Sequence, residues 1–271
     1  MFPVQHKCLS IAGFDGSGGA GLQADLKTFS ALGCYGMTVL TALPIQNTLG
    51  VSRCYDIPLV AIEEQLDAIF DDIIPDSIKI GMLFKSEIVE LVAHFLEKRA
   101  VGIPIILDPV MVAKSGDYLL LPEAIITLKK HLLPLATIIT PNAPEAEALT
   151  GTTTDQQTQA KQLLHLGANA VLLKGGHLGG HDSNDLYIDQ HGQNIWLKSP
   201  RIHSNNTHGT GCTLSAAIAA HLALGRPLAD ACRLAKNYLF AALKAAQLSS
   251  VGHGHGPVHH FHNIWPADEH R

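Results

Sequence analysis

Short apolar runs alternate with longer amphipathic segments along most of the chain, and this alternation constrains the fold more than any other feature. Residues 104–107 and 170–173 are almost uninterrupted apolar runs, as expected for strands in a sheet that is buried on both faces. Between such runs, segments such as 59–73 place apolar residues three and four positions apart, on one helical face. Strands and helices that alternate in this way predict a mostly parallel sheet covered by helices.

The same reasoning predicts the other elements. Two apolar runs flank His191 and Gly192, which indicates an antiparallel hairpin. No low-complexity linker or repeat divides the chain, so we expect one domain over residues 1–271. The predicted strands are 8–12, 37–42, 77–80, 104–107, 136–139, 170–173, 186–188 and 194–197, and the predicted helices are 20–32, 59–73, 85–99, 211–224 and 228–247.

Composition excludes several classes of protein. A hydrophobic fraction of 46% with 16% charged residues is typical of a globular protein, and a net charge of −5 gives no basis for binding nucleic acid or an acidic membrane surface. The first residues do not read as a signal peptide, and no apolar run is long enough to span a membrane. The five cysteines are scattered and form no CxxC pair, so we expect no disulfide framework, no structural zinc site and a cytoplasmic location.

A glycine-rich turn, THGTGC from Thr207 to Cys212, leads directly into a predicted helix. Gly209 and Gly211 let the backbone approach a ligand closely, and the helix directs unpaired N–H groups and its positive dipole end at the same point. A thiolate at Cys212 is expected to be favoured there. The turn, including Thr210, is either an anion hole for a developing negative charge or an ordinary turn with a small buried cysteine.

A second glycine-rich segment, residues 13–21, follows the first predicted strand. It contains GxGxxG at Gly16, Gly18 and Gly21, the pattern of dinucleotide-binding folds. Those folds also need an acidic residue about 20 positions later, whereas no Asp or Glu occurs between Leu26 and Tyr55. The Lys-Ser/Thr ending of a P-loop is absent too. We therefore expect this segment to close over a small substrate.

Polar residues follow several predicted strands. Because the carboxyl ends of parallel strands meet at one edge, we expect Asp108, Asn142, Glu145 and Lys174 to lie close together. Asp108 either holds Mg²⁺ or caps a turn. Glu145 either complements a helix dipole or lies with Asn142 beside nucleotide phosphates and Mg²⁺. Together with the turn at Cys212, these residues indicate phosphoryl transfer, which depends on positioning and charge neutralisation.

Two further positions are candidates for substrate contact. Asp25 on the first predicted helix is either a solvated surface residue or a substrate ligand. The side-chain amide of Gln46, near the end of the second predicted strand, could bind a ring nitrogen and an amino group at once. The tail, residues 252–265, is rich in histidine without carboxylates or cysteines, and we expect it to pack near a nucleotide pocket. Its histidines are His253, His255, His259, His260 and His262.

Long motifs occur in the order found in one known family. On these motifs the chain resembles the hydroxymethylpyrimidine/phosphomethylpyrimidine kinases of thiamine biosynthesis, within the ribokinase-like superfamily. The motifs are SGGAG (17–21), QNTLGV (46–51), KIGML (79–83), DPVMVAKSGD (108–117), TPNAPEAEAL (140–149), KGGHL (174–178), NTHGTGCTLSAAIAA (206–220) and GPVHHFH (256–262).

The resemblance implies a ribokinase-like three-layer α/β/α sandwich with a mostly parallel sheet. It implies ATP- and Mg²⁺-dependent phosphorylation of 4-amino-5-hydroxymethyl-2-methylpyrimidine to its monophosphate and then to the diphosphate, by a homodimer. Cys212 would be the base, beside the anion-hole residues Gly209, Thr210 and Gly211. The resemblance assigns the substrate to Gln46, Asp25, Gly13, Met82 and Val110, ATP to Asn142, Lys174, Thr207 and Gly209, and Mg²⁺ to Asp108 and Glu145.

Two other functions remain open on the sequence. A vitamin B6 kinase of the same fold would phosphorylate pyridoxal, which lacks the aminopyrimidine edge that Gln46 would bind. A vitamin-binding or regulatory protein could keep the pocket without catalysis. Two departures from the family pattern concern the substrate side: Gly16 follows Asp15, and Pro44 stands two residues before Gln46.

Overall fold

The computed structural model describes residues 6–112, 119–177, 179–247 and 249–265. The strands in this part of the chain are β1 (Lys7–Ala12), β2 (Tyr35–Leu40), β3 (Ala42–Asn47), β4 (Gly50–Asp56), β5 (Ser77–Ile80), β6 (Ile105–Leu107), β7 (Ile138–Ile139), β8 (Ala170–Leu173), β9 (Asp185–Asp189) and β10 (Asn194–Leu197). The α-helices are α1 (Gly21–Ala31), α2 (Leu59–Phe70), α3 (Ser86–Arg99), α4 (Pro122–Thr127), α5 (Ala143–Thr150), α6 (Gln156–His165), α7 (Thr210–Ala223) and α8 (Leu228–Ala246). A π-helical turn and a 3₁₀ turn, Leu128–Leu132 and Leu133–Leu135, join α4 to β7.

Eight strands form one sheet in the order β10-β9-β8-β7-β6-β5-β1-β2. The neighbouring strands β2, β1, β5, β6, β7 and β8 of this sheet are all parallel, whereas β9 pairs antiparallel with both β8 and β10. The predicted mostly parallel sheet and the predicted antiparallel hairpin, which is β9 with β10, are therefore confirmed. The carboxyl ends of β1, β5, β6, β7 and β8 meet at one edge, where the loops with the candidate residues begin.

Alternating side chains of the sheet enter two separate cores. On β6, Ile105 and Leu107 pack with helices α2 to α6, whereas Ile106 packs on the other face with α1, α7 and α8. Each fully buried residue of this size stabilises the fold by about 1.5–3 kcal/mol, which explains why the central strands are almost entirely apolar. Helices on both faces of one sheet make the three-layer α/β/α sandwich that was expected.

The main error of the sequence-based prediction is a two-stranded ribbon. The predicted strand 37–42 ends at Leu40 as β2, and the chain continues into β3 and β4, an antiparallel pair outside the main sheet. The ribbon was missed because most of its side chains are exposed or half-buried, so it lacks an alternating apolar pattern. Pro44, a residue that is rare inside strands, also lies within β3. A register shift occurs between Ile45 and Gln46.

Two helices were also missed, and the other predicted boundaries differ by a few residues. The sequence of α6 is largely polar, and its start is set by the Asp155 side chain, which accepts hydrogen bonds from two backbone N–H groups. Helix α4 has only six residues, too few to show a helical period. Among the described residues, no helix is long and apolar enough to cross a membrane.

Candidate active site

The turn predicted to form an anion hole lies at the start of α7. Gly209 is the residue before the helix and has a φ of +76°, a left-handed conformation that favours glycine. A side chain on Gly209 would overlap the carbonyl oxygen of Gly19 in the other glycine-rich segment, residues 13–21, here called the glycine loop. A Cβ atom on Gly211 would be in van der Waals contact with Lys174 Nζ and Asp108 Oδ2, at 3.4 and 3.5 Å. The turn thus touches both the glycine loop and the charged strand ends.

Cys212 is the third residue of α7. Burial of the thiol away from water raises its pKa to about 11, although the Lys79 ammonium and the Gly21 N–H act to lower the pKa. The residue itself is half-buried. The thiol is therefore mainly protonated at neutral pH rather than a thiolate as expected, because desolvation outweighs the nearby Lys79 ammonium.

Beneath this turn, a polar cluster lies between the sheet and α1. Lys79 on β5 and Asp25 on α1 form a fully buried ion pair with Nζ and Oδ2 2.8 Å apart, and Ser10 Oγ donates to the same oxygen at 2.5 Å. Asp25 Oδ1 is buried without a hydrogen-bond partner in the structure. Burial raises the pKa of Asp25 and Lys79 opposes the change. Asp25 is thus no solvated surface residue, but it has no exposed surface for a ligand either.

A second charged cluster lies where β6 and β8 end. Asp108 Oδ1 accepts hydrogen bonds from Lys174 Nζ at 3.1 Å and Thr140 Oγ1 at 3.2 Å, and Oδ2 accepts one from Ser215 Oγ at 3.2 Å. Lys174 Nζ is also 3.6 Å from Glu145 Oε2. Burial opposes protonation of Lys174, but the two carboxylates raise its pKa above the usual value. The Asp108 carboxylate therefore forms an ion pair with Lys174, and its role as a Mg²⁺ ligand stays a prediction.

Glu145 has two sets of contacts. Its carboxylate accepts the Asn142 N–H at 2.7 Å while Asn142 Oδ1 accepts the Glu145 N–H at 2.9 Å, which is a capping box at the start of α5. This confirms the favourable place of an acid in the first helical turn. Burial raises the pKa of Glu145, and Lys174 lowers it. Within the described ranges, no group of three or more His, Cys, Asp or Glu is placed to hold a metal.

The predicted substrate residues gather where β1 and β5 end. A side chain on Gly13 would lie 2.8 Å from Met82 Sδ, so the two residues are in contact. Gln46 Nε2 donates to the Phe14 carbonyl oxygen at 3.0 Å, which places the ribbon against the glycine loop. Val110 is half-buried two residues after Asp108, and its N–H donates to the Asp108 carbonyl oxygen at 2.8 Å.

Two residues that sequence reasoning did not select connect the glycine loop to the turn. His208 Nε2 lies 2.8 Å from Asp15 Oδ2. Asp15 is fully buried, which acts to raise its pKa, but hydrogen bonds from His208 and Ser17 outweigh burial and lower the pKa to about 2. Lys79 was missed as well, although a lysine inside the apolar strand β5 is itself a signal of a buried partner.

The histidine-rich tail packs against α7 and the ribbon turn, and its place near a nucleotide pocket stays a prediction. His260 is buried, its Nε2 is 3.1 Å from Thr213 Oγ1, and burial lowers its pKa to about 3, so it is neutral. The N–H of His255 donates to the carbonyl oxygen of Thr48 in the ribbon turn at 2.9 Å. A polar groove of about 890 Å³ runs between residues 201–207 and the start of the tail. Of the candidate site residues, only Thr207 lines it.

The structure thus brings Cys212, Lys174, Asp108 and Glu145 together. Met82, after β5, and Gln46, on β3, contact the glycine loop that carries Gly13. Residues 113–117 of the DPVMVAKSGD motif and Leu178 of the KGGHL motif lie outside the described residues.

Comparison with known proteins matches this architecture to one family. The sequence profile of the Phosphomethylpyrimidine kinase family matches residues 15–259. A hydroxymethylpyrimidine/phosphomethylpyrimidine kinase of Escherichia coli is 50% identical over 262 residues, which are 95% of this chain and 98% of the relative. The chain belongs to this family.

Solved structures agree on the fold. A phosphomethylpyrimidine kinase of Clostridium difficile is 45% identical, with a TM-score of 0.75 over 88% of this chain and 99% of the other. A pyridoxal kinase of Staphylococcus aureus in complex with AMP-PCP is 35% identical, with a TM-score of 0.87 over 97% of this chain and 96% of the other. The phosphomethylpyrimidine kinase family thus shares its three-layer fold with kinases for a second vitamin.

Proposed function

We propose that this chain is an ATP- and Mg²⁺-dependent kinase that converts 4-amino-5-hydroxymethyl-2-methylpyrimidine to its monophosphate and then to the diphosphate, for thiamine diphosphate biosynthesis. Membership of the phosphomethylpyrimidine kinase family supports this substrate class. One observation carries the chemistry: Cys212 lies at the start of α7, directly after Gly211, whose Cβ position would be 3.4 Å from Lys174 Nζ. This is an arrangement for moving a proton beside a transferring anion.

In the proposed reaction, the substrate hydroxyl oxygen forms a bond to the γ-phosphorus of ATP while the bond from that phosphorus to the bridging oxygen breaks, so that ADP leaves. The hydroxyl proton would pass to the sulfur of Cys212 in its thiolate form, which is the minor form at neutral pH. The backbone N–H groups of Gly209, Thr210 and Gly211 would donate to the phosphoryl oxygens as charge develops on them. Lys174 would neutralise phosphate charge from the β8 side. The loops with Asn142 and Thr207 would flank the nucleotide.

On the substrate side, Gln46 would read the pyrimidine through its amide, in exchange for its present contact with the Phe14 carbonyl oxygen. Gly13, Met82 and Val110 would form the wall of the pyrimidine pocket. Asp25 has no exposed surface, so a direct contact with substrate would require the residues that cover it to move.

The donor set fits Mg²⁺. This ion is usually held by one or two carboxylates together with waters and substrate phosphates, and Asp108 and Glu145 both lie within 3.6 Å of Lys174 Nζ. They would hold the ion by direct or water-mediated contacts, while Lys174 turns to the phosphates. A bound Mg²⁺ neutralises phosphate charge and orients the γ-phosphoryl group.

A vitamin B6 kinase is the second candidate, because the Staphylococcus aureus pyridoxal kinase superposes on nearly the whole chain. Product analysis with ATP and Mg²⁺ separates the two. We expect the pyrimidine to give monophosphate and then diphosphate, with pyridoxal phosphorylated much more slowly. Faster turnover of pyridoxal without any pyrimidine diphosphate would reject the proposal, and absence of product from both would favour a non-catalytic vitamin-binding protein.

Replacement of Gln46 tests the substrate assignment directly. We expect Gln46→Ala to weaken pyrimidine binding more than ATP binding in calorimetric titrations, because only the pyrimidine would meet the amide. Gln157→Ala is the matched control, since Gln157 is exposed at the start of α6. Equal losses for both ligands would count against the role of Gln46.

We also propose that residues 1–271 act as one kinase domain, as a homodimer in the cytoplasm. The continuous eight-stranded sheet supports a single domain, and the exposed apolar side chains of Ile45, Leu49 and Tyr55 on the ribbon are compatible with a subunit contact. All five cysteines are free thiols, which fits a reducing compartment. A monomer by light scattering would refute the dimer.

A further inference from the structure

A single buried carboxylate organises the glycine loop. Asp15 accepts hydrogen bonds from the backbone N–H groups of Ser17, Gly19 and Ala20 at 2.9, 3.1 and 2.7 Å, and from the Ser17 hydroxyl at 2.7 Å. Its remaining contact crosses to the turn before α7, where His208 Nε2 lies 2.8 Å from Oδ2. The group that shapes the loop therefore also attaches it to the catalytic turn, 193 residues away in sequence.

The backbones of the two segments interlock around this contact. A side chain on Gly209 would overlap the Gly19 carbonyl oxygen, and one on Gly19 would overlap the His208 ring. The His208 N–H donates to the Gly256 carbonyl oxygen at 2.9 Å, so the tail holds the same residue from the other side. His208 is thus the residue at which the glycine loop, the turn and the tail meet.

We propose that His208 is a positioning residue for the phosphoryl transfer put forward above, which clamps the substrate-side glycine loop to the anion-hole turn through Asp15. The inference rests on that proposed function. The structure brings His208 into contact with Asp15 and the tail, and it acts through the placement of its neighbours Gly209 to Cys212.

The clamp matters because each segment supplies a different part of the reaction. The turn carries Cys212 and the N–H groups that would bind the phosphoryl oxygens, whereas the glycine loop carries Gly13, which would line the pyrimidine pocket. Relative displacement of reacting groups by about 1 Å costs about 10²-fold in rate. Loss of the clamp should therefore lower kcat while the separate binding sites for the two substrates persist.

The test compares His208→Ala, His208→Gln and Asp15→Asn, with His191→Ala in the exposed β9–β10 turn as the matched control. We expect His208→Ala to lower kcat per folded enzyme about 10²-fold, with KM for the pyrimidine and for ATP changed less than about threefold. Gln can still donate a side-chain N–H to Asp15, so His208→Gln should recover at least tenfold. His191→Ala should match the wild type.

A cycle with the Asp15→Asn/His208→Ala double variant measures the coupling between the two residues. We expect the double variant to lose no more kcat than the worse single variant, because both changes break one clamp. Losses that multiply, or a normal kcat in His208→Ala, would overturn the inference. A lower thermal midpoint with kcat per folded enzyme unchanged would also overturn it, since His208 would then only stabilise the fold.

Hydrogen exchange gives a readout that does not depend on the substrate. We expect the amides of Gly19 and Ala20, which donate to Asp15, to exchange faster in His208→Ala than in the wild type. Unchanged protection would reject the clamp even if the kinase activity is confirmed. A wild type that phosphorylates neither the pyrimidine nor pyridoxal, with faster exchange in the variant, would instead reject the proposed function and leave the clamp supported.

Discussion

The pH dependence of the phosphoryl-transfer step gives the sharpest test of Cys212 as the base. Burial raises the pKa of this thiol to about 11. The form that accepts a proton is the thiolate, which makes up about one enzyme in 10³ at pH 8 and about one in 10² at pH 9. The rate should therefore rise about tenfold per pH unit between pH 7 and 10.

Single-turnover rates with saturating MgATP and pyrimidine isolate this step from product release. Lys79, the main cation acting on the thiol, stays charged over the whole range because Asp25 holds its pKa above the usual value despite burial. We expect Cys212→Ala to lower the rate by about 10²–10⁴ at pH 9, the range for loss of a general base, and to flatten the profile. Cys232→Ala is the control, because Cys232 is buried in the core between the sheet and helices α1, α7 and α8, and this variant should keep the wild-type dependence of rate on pH.

Two results would refute the reasoning. A wild-type rate that is independent of pH between 7 and 9 would show that thiolate formation does not limit proton transfer. An unchanged slope in Cys212→Ala would assign the titration to another group.

Three further predictions follow from the charged clusters and the turn. Asp15→Asn should lower the unfolding free energy by about 2 kcal/mol at pH 7, because the pKa of Asp15 falls from 3.8 to about 2 on folding. This stability is present above pH 4, and about half of it is lost by pH 3, as the pH falls toward the folded pKa. Urea titrations should therefore give a smaller difference between wild type and variant at pH 3 than at pH 6. Lys79→Met should cost about 3–5 kcal/mol in the same assay, because it leaves Asp25 charged and unpaired in the interior, and adding Asp25→Asn should recover part of the loss; a lone Lys79→Met without effect would contradict the buried pair. Gly209→Ala should reduce kcat more than tenfold, because the methyl group would overlap the glycine loop, whereas Gly33→Ala has a similar φ of +80° with open space around it and should cost only about 1–2 kcal/mol of stability with normal kcat.

The sequence was sufficient to predict which loops lie together at the candidate site. Asp108 and Lys174 are 66 residues apart and lie 3.1 Å from each other, because both directly follow parallel strands whose carboxyl ends share an edge. That inference needs only the order of strands and helices, which apolar periodicity supplies. The same logic explains why Gly13 and Met82 meet, since β1 and β5 are neighbours.

Contacts between layers could not be predicted in this way. Lys79 and Asp25 pair across the boundary between the sheet and α1, and His208 and Asp15 pair between two loops; neither contact follows from a repeat in the sequence. The protonated state of Cys212 was also out of reach, because it depends on how completely the surrounding side chains exclude water. The motif alone indicated the helix dipole and gave no measure of burial.

The two lysines of the candidate site differ in exposure, and this difference separates a lysine that can contact phosphate from one that acts only through its charge. The side chain of Lys174 is 14% exposed and that of Lys79 is 0% exposed. A nucleotide phosphate can therefore reach Lys174 by displacing Asp108 or Glu145, whereas Lys79 acts on the site only through its electric field. Because Lys79 is the cation that most lowers the pKa of Cys212, a phosphate contact with it would raise that pKa and remove the base when ATP binds. Its ion pair with Asp25 keeps Lys79 beneath the turn, so the charge that favours the thiolate persists when the phosphates arrive.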